Sequence, residues 1–283
     1  VTFSIDLRNR LRPLATGGFL VFVAAGAGSA QDLAPVPEDL LEDEVFRQEV
    51  GINSFTAPSI RKIFTQLSDM GAIPYEKVKR DVPSVPGTDR LGVALNLGTI
   101  IADGFLAVQC ERYGEMEGLG KAVLDHAELL GTGRHIKPHS KSLLEHASLQ
   151  QGEKLKEDLA KTQRDIEREM ADLRDVDIAH LVSLGGWTRA FEVGCASVGE
   201  AFTSKHARVI ARVDIVRYYQ AQLEGLHPNL QERPQVVTLR KGLAELAEKM
   251  DIPEEREIKA EELAAWGKIA TSMVESISKP AKP

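Results

Sequence analysis

The sequence predicts an all-α protein, an irregular bundle of about nine to eleven helices around two central apolar ones. Three observations carry that expectation. Apolar residues recur at spacings of three and four along most of the chain, the period of a helix face. Alternating runs of Val, Ile, Thr or aromatic residues bounded by turn dipeptides are scarce, and Val236-Val237-Thr238 is too short and lies inside a helical pattern. Two long segments, 90–112 and 177–202, are apolar almost throughout, so they require burial on every side.

The elements follow in order. Residues 37–50 are acidic and amphipathic. Thr56 supplies a capping oxygen and Pro58 suits a first turn, so a helix starts there, with Ile60, Ile63, Phe64 and Leu67 on one face. Gly71 and Pro74 end it. Residues 82–87 hold two prolines and a glycine and read as a loop, after which Thr88 or Asp89 caps the first apolar segment. Glycines 114, 118 and 120 punctuate the next stretch before a helix over 121–130. Gly131-Thr132-Gly133 is a break, and Pro138 is expected to open a helix reaching about residue 149. Residues 153–174 form a highly charged helix with Leu155, Leu159, Ile166 and Met170 as its buried seam. The second apolar segment follows, then helices over 205–223, 234–250 and 254–277. Asn96-Leu97-Gly98 in the first segment echoes Ser183-Leu184-Gly185 in the second, and each precedes a Cys. Small residues at matching places let two backbones approach, so these two segments are expected to pack on each other.

Residues 1–30 read as something other than fold. Arg8, Arg10 and Arg12 form a basic head, an apolar stretch with small residues follows, and Gly28-Ser29-Ala30 offers a small-residue exit. This is the pattern of a secretory signal peptide cleaved before Gln31. A membrane anchor is the competing reading, and Gly17, Gly18 and Gly26 in a short run weigh against it. The expectation is therefore an exported, periplasmic protein with one helical domain over 31–278 and a disordered tail over 279–283. No second apolar run is expected to approach the roughly twenty residues of a membrane helix, so no stable membrane span is expected after the leader.

The whole chain carries 35 basic and 42 acidic side chains, a net charge of −7. Residues 1–30 hold three Arg and one Asp, so their removal takes the balance to −9. An acidic chain with few aromatics is a poor nucleic-acid binder. Cys110 and Cys195 could pair as a disulfide in an oxidising compartment, against the alternative of two buried thiols.

Motifs of metalloproteases, α/β-hydrolases, P-loop and dinucleotide-binding proteins, c-type haem attachment and di-iron bundles are all missing, so no cofactor and no metal site is expected. The sequence reads as a binding protein more than a catalyst. Asp103 is the residue most out of place, because Thr99, Ile100, Leu106 and Ala107 surround it on its helix and none is basic. Arg189 in the second apolar segment is its natural partner, with Glu192 as a local option for the arginine. The bland reading is a structural ion pair. The sharper one is an acid–base site of Asp103, Arg189 and His180. Asp177, His180 and Ser183 share a helix face, yet successive turns of one helix do not converge on a reacting atom as a triad must. His126 reads as a core histidine.

One basic cluster stands out on this acidic chain: Arg134, His135, Lys137, His139 and Lys141, around the helix start expected at Pro138. Backbone N–H groups at such a start would add to an anion site. A solvated patch paired with Asp125, Glu128 and Glu145 is the alternative. The expected partner is a small anionic ligand or another envelope protein. An enzyme and a purely structural envelope protein are the rival readings.

Overall fold

The computed structural model describes residues 60–84, 87–173 and 175–279; of His135, Ala171 and Asp172 only the backbone is described. The chain divides into two units, residues 1–33 and 34–283, and every described residue belongs to the second. The leader, the acidic 37–50 stretch, the Thr56–Pro58 helix start and most of the tail lie outside the described residues.

The described part is all-α, with no strand. The helices are α1 (Ile60–Met70), α2 (Tyr75–Val78), α3 (Arg90–Gln109), α4 (Met116–Leu130), α5 (Gly133–Ser148), α6 (Gly152–Asp172), α7 (Val176–Glu200), α8 (Ser204–Ile210), α9 (Val213–Gly225), α10 (Pro228–Gln231), α11 (Pro234–Met250) and α12 (Ala260–Ser278). Ten of these have seven residues or more, and α2 and α10 are single turns of four.

Helices α3 and α7 are the two central rods, and they make the most extensive contact in the molecule. The reason lies in two glycines. A Cβ built on Gly98 would stand 1.9 Å from the Val182 carbonyl oxygen, and one on Gly185 would stand 2.1 Å from that of Leu95. No side chain fits at either place, so the peptide backbones themselves touch. Around this pair α1, α6 and α12 complete the core, with α4–α5 and α9–α11 as flanking helices. Helix α3 has eighteen consecutive buried residues, from Leu91 to Val108. It is long and apolar enough to cross a membrane by length and composition alone, which corrects the expectation that no such second run exists. Here its apolar surface is covered by protein.

Several boundaries differ from the sequence expectation. Helix α4 starts five residues early and runs through Gly118 and Gly120. Helix α5 starts at Gly133 and keeps Pro138 inside it, giving up only the bond the missing proline N–H would make. Its start is set by Gly131, which closes α4 at φ 92°. The expected 205–223 helix is two, α8 and α9, separated by Ala211-Arg212, where the Arg212 guanidinium holds Asp214. Helix α12 starts at Ala260, because residues 254–256 turn and the Glu262 carboxylate accepts from the Lys259 N–H.

Candidate functional site

The sequence places Asp103 in the middle of α3 and Arg189 in the middle of α7. Their helices touch, and the two side chains meet: Arg189 Nε donates to Asp103 Oδ1 at 2.7 Å. Both are nearly inaccessible. The carboxylate has a second guanidinium. Arg80, on the stretch after α2, donates from Nε to Asp103 Oδ2 at 2.8 Å, and its Nη1 reaches Ser278 Oγ on α12 at 3.1 Å. Arg189 also donates from Nη1 to Glu192 Oε2 at 2.6 Å and from Nη2 to the Val78 carbonyl. Two cations and two anions thus alternate across three elements, and burial of each is offset by the next. Burial works against the charge on Arg189, but the carboxylates of Asp103 and Glu192 outweigh it and hold its pKa above the ordinary value.

Arg80, Arg189 and Glu192 of this network line the floor of an open groove of about 630 Å³ between the 77–80 stretch, α7 and α12. The groove has two unlike ends. Beside the first half of α12 it is apolar, with Leu263, Ala264 and Gly267 facing Cys195 and Ala196. Beside the end of α12 it is basic, with Lys79, Arg80 and Lys279. Its lining carries five cations, Lys77, Lys79, Arg80, Arg189 and Lys279, against the carboxylates of Glu192 and Glu275. On a chain of net charge −7 this is a local inversion of sign. The rim lysines have exposed partners: Lys77 meets Glu200 at 2.7 Å, Lys79 meets Glu76 at 2.6 Å and Lys279 meets Glu275 at 3.8 Å.

His180 does not join Asp103 and Arg189. It precedes Arg189 by nine residues on one continuous helix. That spacing is two and a half turns, which puts it on the opposite side of α7 and about 13 Å away along the axis. Burial pushes its pKa down to about 4, with Asp177 pulling the other way. Ser183 shares a hydrogen bond of 2.8 Å with the Tyr219 hydroxyl, and Asp177 accepts from the His227 N–H at 3.3 Å, so Asp177, His180 and Ser183 do not form a triad.

The basic cluster on α5 is divided by the helix that carries it. Arg134, Lys137 and Lys141 are exposed on one face, and Lys137 lies 3.7 Å from Glu128. His139 turns inward, and its Nε2 stands 2.8 Å from Asp165 Oδ2 on α6. Because α5 begins at Gly133, the free backbone N–H groups of its first turn lie at the head of the cluster, beside Arg134, and not at Pro138. The side chain of His135 lies outside the described residues. Among the described residues no group of three metal-ligating side chains gathers. Of the two alternatives for the cysteines, the structure has the thiols: Cys110, half-buried, and Cys195, buried, are free. Cys195 is fully buried against Gly267 of α12, with its thiol pKa pushed up by burial, while Cys110 at the end of α3 borders a separate surface pocket beside Tyr75.

Sequence reasoning missed one further buried polar cluster. Glu167 on α6 accepts from Gln163 Nε2 at 2.9 Å. Its carboxyl is pushed up to about 7 by burial, against the weaker pull of the Gln163 hydrogen bond and the Arg164 charge. It neighbours Tyr218 and Tyr219; the Tyr219 ring lies tilted against Trp187, and Tyr218 meets Tyr219 edge-on. The residues from 152 to 172 are so rich in charge that no single carboxylate stands out in the sequence. His126, read as a core histidine, is wholly buried, and its Nδ1 lies 2.7 Å from the Ala122 carbonyl oxygen. Set against family models, curated proteins and solved structures, the chain matches none.

Proposed function

We propose that this protein is an exported, non-catalytic binding protein, and that it holds a small anionic ligand in the groove between the 77–80 stretch and α12. The observation that carries this reading is the gathering of five cations along one groove of an acidic chain, the arginines of its floor satisfied within their own network and the three rim lysines held only by exposed carboxylates. A floor of that kind supplies a fixed field without consuming a ligand's charge. It also commits Asp103 to two guanidiniums, so the carboxylate is poorly placed to take up a proton from a substrate. Export rests on the basic, apolar and small-residue sequence of residues 1–30.

Thermal unfolding with a panel of small carboxylates and phosphate tests the binding reading. A ligand of the native state raises the midpoint. At least one anion should do so for the wild-type protein and less for Lys79→Glu, and it should be recovered chemically unchanged. A panel that moves neither protein removes the groove as a site. Conversion of the anion to a product favours the enzyme. Mass analysis of the exported protein should find Gln31 as its first residue, and an intact leader sinks the export reading.

A further inference from the structure

Resting on the groove as the ligand site, we infer that its occupant is a free single-chain carboxylate of the fatty-acid type. The head would sit at Lys79 and Lys279 and the tail would run toward Cys195. Three features select that chemistry. The first is the polarity along the groove, basic at the Ser278 end and apolar at the Leu263 end, which suits a molecule with charge at one end only. The second is size. Gly267 and Ser278 are eleven residues apart on α12, about 16 Å along its axis, and the groove's volume of about 630 Å³ lies in the range that accepts one small ligand. The third is the state of the cations. Both arginine forks are turned onto Asp103, Glu192, Ser278 and the Val78 carbonyl, so an incoming head meets Lys79 and Lys279 and displaces their exposed partners Glu76 and Glu275. Lysine is a point charge that serves carboxylate and phosphate alike, but each of these two already balances one carboxylate, so a singly charged head can replace that carboxylate without adding charge.

Titration of the protein as purified with dansyl-labelled undecanoic acid, followed by displacement, tests the assignment. The dansyl emission should rise on binding, and dodecanoate should displace the probe whereas butanoate should not. Ala264 is exposed on the groove wall, so Ala264→Trp fills the apolar end without disturbing the core and should weaken probe binding by about ten-fold, roughly 1.4 kcal/mol. Lys79→Glu combined with Lys279→Glu should weaken it as much and remove most of its salt dependence. Circular dichroism melts of each variant establish that it is folded before its affinity is compared. Butanoate matching dodecanoate would overturn the tail while leaving anion binding in place. Dodecyl phosphate displacing the probe better than dodecanoate would overturn the head. Absence of probe binding by the folded protein would overturn the whole assignment, as would probe binding that ignores Ala264→Trp. Displacement by a peptide of residues 37–50 would overturn it in favour of the chain's own acidic lead segment.

Discussion

Two buried carboxylates in this molecule meet the cost of burial in opposite ways. Asp103, between α3 and α7, is gripped by Arg80 and Arg189. Glu167, on α6, has a neutral amide as its hydrogen-bond donor and is pushed up to about 7. A buried acid can be met with opposite charge or by giving up its own. The first solution ties three elements together. The second makes the packing of one helix a function of pH. The difference follows from where the helices come from: α3 faces an arginine-bearing neighbour and a basic stretch, while α6 lays Glu167 near the tyrosines of α9.

The largest effect should come from removing the compensated acid. Asp103→Ala leaves two buried guanidiniums facing each other and should cost about 3–5 kcal/mol in urea unfolding. A loss below about 1 kcal/mol would show that the network carries no such charge. Next is the titrating acid. With a folded pKa near 7 and an ordinary value of 4.5, Glu167 binds its proton more tightly when folded. Its contribution is therefore complete below about pH 4.5 and is lost as pH rises toward 7, by about 3 kcal/mol in all. Glu167→Gln should abolish that loss and raise stability at pH 7.5, and a variant with an unchanged pH profile would place the carboxylate in water.

His180 sharpens the contrast with an effect of similar size and opposite sign. Its folded pKa near 4 lies below the ordinary 6.5, so its contribution is present above pH 6.5 and is lost as pH falls toward 4, by about 3 kcal/mol in all. In the wild-type protein the two slopes oppose each other between pH 4.5 and 6.5. In Glu167→Gln the histidine slope should stand alone, with stability rising across that window, and a flat curve there would count against the burial of His180. The smallest effect belongs to Glu192→Gln, which removes the outer, half-buried anion of the network and should cost about 1 kcal/mol. A cost equal to that of Asp103→Ala would mean that the network has no inner and outer members.

The sequence was informative where a residue contradicted its neighbours and silent where it did not. Asp103 announces itself because no base lies three or four residues away, and Gly98 and Gly185 announce the touching of the central helices. Arg80 gave no signal, because it lies in an irregular stretch where no period tells which way a side chain faces. Glu167 was hidden among the alternating charges of α6. The helix start beside the 134–141 cluster was misplaced because Pro138 reads as a first-turn residue, whereas Gly131 had already turned the chain into a new helix. The groove itself was out of reach of the sequence, since its walls come from three separate stretches, 77–80, 189–196 and 263–279.

The glycine contact has a mechanical consequence. Two backbones already in touch cannot come nearer, and any sliding drives carbonyl groups into each other, so α3 and α7 form one stiff spar. On the far side of the groove α12 is fastened near its end, where the Asn96 amide donates to the Ile277 carbonyl at 2.9 Å. Toward Cys195 it is held by its core face, where Leu263, Trp266 and Ala270 are buried. The cleft therefore has two firm jaws, so a bulkier guest would be admitted by moving the exposed rim side chains rather than by spreading the helices.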